Sequence, residues 1–213
     1  MKNKIWIVGM GPGNEEMMTG RAIEVLEQVD VIIGYTVYLD LLGERFQDKE
    51  FLSTPMRQEE KRCRMCFEEA EKGKTVAISN VSDPTFGEEI LGKGVAIIPA
   101  EGRIYAPADG TIEMLFDTMH AVSMTTSEGV ELLIHIGLDT VALKGEHFTA
   151  YKGNGDSVKK GELLIEADLD AVKKAGYDVI TPVVVCNTSD YQTVETVTDQ
   201  EVEPGDTVLI LNK

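Results

Sequence analysis

The sequence predicts a mainly β protein: an antiparallel sandwich or barrel preceded by a partial α/β segment of β-α-β-α form. Two observations carry this. From Asp83 onward, short β-branched runs recur at about 8–12-residue spacing between Gly, Pro, Asp and Asn. Before that point, apolar strands alternate with longer helix-like stretches, the pattern of a parallel sheet. Charge divides the chain the same way: residues 1–74 carry 11 Lys and Arg against 14 Asp and Glu, leaving 9 against 23 for residues 75–213.

In chain order, Lys4–Gly9 (KIWIVG) reads as a first strand, followed by a Gly-x-Gly-x-Gly turn at Gly9, Gly11 and Gly13. Asn14 is placed to cap the next helix, with Glu15 and Glu16 in a first turn that favours negative charge. The periodic run MMTGRAIEVLEQ supplies that helix, and VDVIIGY a second strand. LDLLGERF and RQEEKRCRMCFEEAEKG read as further helices, and KTVAIS as a third strand.

The later strands are VAIIP, RIYAP, GTIEMLF, HAVSM, VELLIHIG, ELLIEAD, TPVVVCN and TVLILNK. A turn-then-strand device occurs twice, as VKKGELLI from Val158 and VEPGDTVLI from Val202. DLDAVKKAG, residues 168–176, is the one clear helix in this part. The boundary between the two plans is expected between residues 73 and 74, giving domains 1–73 and 74–213.

A formal charge of −17 excludes nucleic acid and anionic lipid surfaces as partners. No apolar run reaches membrane-span length, which excludes direct membrane insertion, and the start MKNKIWIVGMGPG is too short and Gly-rich for a signal peptide. Cys63, Cys66 and Cys186 form an odd set without a disulfide framework, which points to a reducing cytosol. Cys63 and Cys66 make a C-x-x-C without a second ligand pair, so packing on a helix face is expected rather than a metal or redox centre.

All three histidines, His120, His135 and His147, lie in the β part. His135, between Ile134 and Ile136, reads from spacing alone as a core imidazole sooner than a functional one. Nothing in the spacing places His120 beside it. On the same grounds Thr118 is a strand-end hydroxyl, Asp139 a turn anchor, Phe86 and Phe116 core residues, and His147 a surface residue.

Further content comes from resemblance. DPTFGEEILGKGVAIIP, IYAPADGTI, TMHAVSM, GVELLIHIGLDTVALKGEHF and TPVVVCN resemble the glucose-type enzyme IIA component of the bacterial phosphoenolpyruvate-dependent sugar phosphotransferase system. They occur in order and at family spacing from about residue 74 to the end. The resemblance implies a phosphocarrier that takes a phosphoryl group from the histidine phosphocarrier HPr and passes it to a IIB domain. His135, in the LIHIGLDT motif, would be the acceptor. His120 would hydrogen-bond the phosphoryl oxygens, Thr118 would orient an imidazole, and Asp139 would be the acidic neighbour. Phe86, Ile90, Phe116 and Leu133 would contribute to an apolar docking rim. No cofactor and no metal are implied. A zinc peptidase is excluded because such enzymes need His-x-His and here Gly137 follows Ile136, and the exposed hairpin lysine of a biotin or lipoyl carrier is lacking.

MKNKIWIVGMGPGNEEMMTGRAIEVLEQVDVIIGYTVYLDLL, FLSTPMRQEEKRC and GKTVAIS resemble the N-terminal part of tetrapyrrole methylases of the precorrin-3B C17-methyltransferase type. Gly9, Gly11 and Gly13 would then be vestigial contacts to S-adenosylmethionine. After KTVAIS, however, stands Ser82-Asp83-Pro84-Thr85-Phe86 of the phosphotransferase pattern, and the rest of the methylase is replaced. The chain reads as a chimera whose families cross at GKTVAIS. The sandwich, complete elsewhere, is the stronger claimant to that strand. Loss of the strand would expose an edge in the α/β part and favour homodimer pairing through the N-terminal segment. Two alternatives to the phosphocarrier remain: a methyltransferase fragment binding S-adenosylmethionine, and a non-catalytic chimeric scaffold.

Overall fold

The computed structural model describes residues 4–12 and 15–213. Two compact units divide the chain, Asn3–Glu71 and Lys72–Lys213. The division falls two residues before the expected one because Gly73 already pairs with Val202.

In the first unit, α1 (Gly20–Gln28) is capped by Thr19, whose hydroxyl accepts the Ala22 N–H at 3.2 Å. The cap expected at Asn14, like Gly13, lies outside the described residues; Glu15–Met17 forms a 3-10 turn. Strands β1 (Val31–Tyr35) and β2 (Glu50–Thr54) pair in parallel, and β2 carries no alternation by which the sequence would announce it. The expected helix LDLLGERF is broken into the single turn α2 (Thr36–Leu39) and a 3-10 turn at Glu44–Phe46. Gly43, at φ 68, separates them. Helix α3 (Glu59–Glu71) follows as predicted. Its C-x-x-C does not pack as expected: Cys63 is exposed and Cys66 half-buried.

The expected first strand does not form. Lys4–Met10 has no ladder partner, and Ile7 is fully exposed. The core of this unit is Met18, Ala22, Leu26, Ile32, Leu42 and Phe46, too small to anchor a third strand by burial alone.

The second unit begins with β3 (Gly73–Ala77), followed by α4 (Pro84–Gly87), β4 (Lys93–Ile98), β5 (Arg103–Tyr105), β6 (Gly110–Leu115), β7 (Ala121–Thr126) and β8 (Glu131–His135). Then come β9 (Phe148–Ala150), β10 (Ser157–Val158), β11 (Leu163–Ala167), α5 (Leu169–Lys174), β12 (Thr181–Val185), β13 (Thr193–Thr196), β14 (Glu201–Val202) and β15 (Leu209–Asn212). An antiparallel sheet runs in the order β10-β6-β7-β8-β12-β4-β3-β14, beside smaller sheets β5-β11-β9 and β13-β15. The two turn-then-strand devices share one geometry. In each, a backbone N–H meets the acidic side chain three residues on, Lys159 to Glu162 at 3.1 Å and Glu203 to Asp206 at 2.8 Å, with Gly161 and Gly205 at positive φ.

The large sheet is covered on both faces, and the period of two in its strands assigns each side chain. Val183 and Val185 of β12, Val95 of β4, and Leu132 and Ile134 of β8 enter the main core. Val184, Ala96 and Leu133, one residue out of phase, face a second layer built from Val76, Ile78, Val81 and Phe86. All four of those last residues come from the GKTVAISNVSDPTF stretch. Burying such side chains is worth about 1.5–3 kcal/mol each. β3 also gains ladders on both edges, antiparallel to β4 and β14, with Thr75 bonded to Gln200. The disputed strand therefore belongs to the sandwich.

Candidate functional site

His135 ends β8 on the same face as Leu133, so the alternation that sends Ile134 into the main core turns the imidazole toward the second layer. His120 arrives by a different route. Phe116 closes a turn by accepting the Met119 N–H at 2.7 Å, and Met119 sits at φ 54. The chain re-enters β7 at Ala121, opposite His135, with the Ile136 N–H bonded to the His120 carbonyl at 2.8 Å. Regular alternation would send neighbours 120 and 121 to opposite faces; His120 lies between the turn at Phe116–Met119 and the start of β7, outside the regular strand, and its ring lies beside His135. The two imidazole centroids lie 4.9 Å apart with planes at 82°.

Aromatic rings enclose the pair. Phe86 lies 5.1 Å from His135, and Phe116 lies 5.4 Å from His120 in an edge contact. Phe86 is only 4% exposed, so it is a wall of the site and not part of a docking rim as expected. Asp83 places it: its carboxylate accepts the Thr85 N–H at 2.8 Å and caps α4, with Pro84 in the first turn. Ile90, 66% exposed, and Phe116, 36% exposed, present apolar surface, while Leu133 is half-buried.

Hydrogen bonds set the proton positions. Nδ1 of His135 lies 2.7 Å from the Gly137 carbonyl, which can only accept. Nδ1 therefore carries the hydrogen and the lone pair resides on Nε2. Nδ1 of His120 meets the Thr118 hydroxyl at 2.5 Å, a partner that can donate or accept. Burial pushes the His120 ring down to about 4, with the neighbouring His135 adding to the effect; its exposure is 5%. Burial also lowers the His135 ring, opposed by the Gly137 carbonyl and by the charges of Asp83 and Asp139. Both rings are neutral near pH 7.

Thr118, His120, His135 and Asp139 are thus brought together, Asp139 acting through its charge from an exposed left-handed position, φ 57. His147, at φ 74, is an exposed loop residue. Sequence reasoning missed the Gly137 carbonyl and Asp83. Asp83-Pro84 signals a helix start, whereas a carbonyl acceptor leaves no side-chain signature. Gly11 lies on a turn in the other unit with φ 66, where an added Cβ would fall 2.9 Å from the Met17 carbonyl, and Gly9 lies in the irregular segment before it. Among the described residues no cluster of three or more His, Cys, Asp or Glu is arranged to hold a metal. No described helix is long and apolar enough to cross a membrane.

The family model for EIIA 1 of the phosphoenolpyruvate-dependent sugar phosphotransferase system matches residues 67–191. The chain belongs to this family. Its membership gives the chain a phosphocarrier role in sugar phosphotransfer, as a phosphotransferase component. The model for tetrapyrrole (corrin/porphyrin) methylases matches residues 4–99, so the two overlap over 67–99, across β3, α4 and β4. This is the signature of a chimera. A glucose-specific EIIA component from Halalkalibacterium halodurans is 44% identical over 141 residues, 66% of this chain and 82% of that protein. A beta-glucoside-specific EIIBCA component from Dickeya chrysanthemi is 46% identical over 131 residues, 62% of this chain. The chain spans about a fifth of that longer relative, 21%. The structure of glucose permease IIA from Mycoplasma capricolum superposes with a TM-score of 0.61 at 36% identity, covering 65% of this chain and 89% of its own.

Proposed function

We propose that Nε2 of His135 accepts a phosphoryl group from HPr and passes it to a IIB domain of a sugar permease, in the cytoplasm and without a cofactor. The observation that carries this is the pair of neutral imidazoles 4.9 Å apart, one of them held with its hydrogen on Nδ1 by the Gly137 carbonyl. As the donor's P–N bond breaks, the Nε2–P bond forms and no proton has to leave first. The phosphorylated ring, keeping its Nδ1 hydrogen, gains cationic character, which the Gly137 carbonyl and the Asp83 and Asp139 charges favour. The Thr118 hydroxyl, donating to Nδ1 of His120, leaves that ring's Nε2–H to bond a phosphoryl oxygen. Phe86 and Phe116 keep water from the labile P–N bond. Ile90, Phe116 and Leu133 form the apolar docking rim, and the surrounding acids steer a basic partner.

Incubation with phosphoenolpyruvate, enzyme I and HPr is expected to place acid-labile phosphate on the chain, and His135→Ala to abolish it. A label that survives in this variant discards the assignment.

For the first unit we propose no methyl transfer, with domain boundaries at 1–73 and 74–213 marking the two ancestries. The methylase match ends at residue 99, and the glycine turn serves a small core. Its exposed Ile5, Trp6 and Ile7 are proposed to pair with a second copy, which sedimentation would register as a dimer lost on removal of residues 1–71.

A further inference from the structure

The residue that holds the acceptor's tautomer is itself held. Thr140 is fully buried, and its Oγ1 donates to the Ile136 carbonyl at 2.6 Å, spanning the turn that contains Gly137. On the other side, the Leu138 N–H bonds the Asp178 carbonyl at 3.0 Å. Between these two ties Gly137 has φ 74 and no room: a Cβ there would fall 2.5 Å from the Asp178 carbonyl and 2.7 Å from the Thr140 methyl. The Gly137 carbonyl that meets His135 is thus fixed by hydrogen bonds at residues 136 and 138 and by packing at 137.

We propose that Thr140 is a positioning residue that selects the Nδ1–H tautomer of His135 by locking the orientation of the Gly137 carbonyl. Thr140 never touches the phosphoryl group; it acts through the turn. Without its hydroxyl the Ile136 carbonyl loses a buried partner and the turn re-forms to recover one. The Gly137 carbonyl then moves off Nδ1, and the hydrogen redistributes between the ring nitrogens. A hydrogen on Nε2 blocks the lone pair that attacks phosphorus.

The tautomer part of this proposal stands independently, whereas its effect on transfer rests on His135 being the acceptor. The test uses the full chain, unphosphorylated, at pH 8. Long-range nitrogen–proton NMR reads the His135 tautomer in wild type, Thr140→Val, Thr140→Ala and Thr140→Ser. Wild type and Thr140→Ser are expected to show Nδ1–H, and the two variants lacking the hydroxyl a mixture or Nε2–H. Phosphate uptake from HPr should fall by up to roughly a hundredfold in Thr140→Val and return in Thr140→Ser. If Thr140→Val does not fold, Thr140→Ala carries the test. An unchanged Nδ1–H tautomer in any folded variant without the hydroxyl overturns the proposal. A shifted tautomer with undiminished uptake leaves Thr140's positioning role standing and removes His135 as acceptor.

Discussion

The two units show what happens when one strand is claimed by two folds. Lys72–Lys213 stacks apolar layers on both faces of an eight-stranded sheet, and β3 supplies part of the second layer and is paired along both edges. Residues 4–71 keep a two-stranded parallel sheet, and their opening apolar segment is left unpaired with Ile7 exposed. Both family models match the run that follows Gly73, so its local sequence suits either fold. The outcome follows from what surrounds the run. In the sandwich, Val76, Ile78 and Phe86 find a waiting hydrophobic face; in the α/β unit they would find a six-residue core. A strand goes to the ladder and layer that bury it most completely.

The largest expected effect breaks the comparison outright. His135→Ala should eliminate phosphorylation, whereas a chain beginning at Lys72 should be labelled as well as the whole, since Phe86, Phe116, Thr118, His120, His135 and Asp139 all belong to the second unit. Loss of labelling in the shortened chain would show that the units are functionally one.

Next in size is stability. Phe86→Ala empties a buried wall and is expected to cost roughly 3–5 kcal/mol in urea unfolding of the sandwich. Phe67→Ala, on the exposed face of α3, should change stability by less than about 0.5 kcal/mol. Equal losses would mean that α3 has a buried role.

Acid sharpens the contrast further. The folded His120 ring has its pKa lowered from 6.5 to about 4, so the unfolded chain binds more protons across that window. Stability is therefore complete above pH 6.5 and falls as pH drops toward 4, by up to about 3 kcal/mol for this ring. His120→Gln should remove that part of the slope, seen as denaturation midpoints at pH 7 and pH 4.5 that lie closer together than in wild type. The smallest effect concerns the glycine turn. Calorimetry with S-adenosylmethionine is expected to give no heat of binding, and Gly11→Ala to leave phosphate uptake unchanged. Binding that depends on Gly11 would restore a cofactor function to the first unit.

Much of this site was readable in advance. LIHIGLDT marks His135, and alternation through Leu132, Leu133 and Ile134 fixes its face once one side is known to be core. What stayed hidden depended on backbone geometry without a side-chain code. Met119 is an ordinary residue in a left-handed conformation, and the turn it closes leaves His120 outside the regular strand, beside His135. Phe86 was expected at a rim and is a wall, because whether an aromatic is covered depends on the layer above it and not on its own hydrophobicity. The KIWIVG segment has strand composition, but a strand exists only where a neighbour offers a ladder.

By itself the sequence determined the antiparallel character of residues 74–213 and most of its strands, because periodicity and turn chemistry are local and repeat along the chain; His135 was singled out only by the resemblance of LIHIGLDT to enzyme IIA. Only the tertiary structure decided the ownership of GKTVA, the meeting of His120 with His135, and the nitrogen on which the His135 hydrogen sits. Each of these depends on registers and packing among segments far apart in sequence, and there the deciding quantity is burial shared between partners that no single stretch contains.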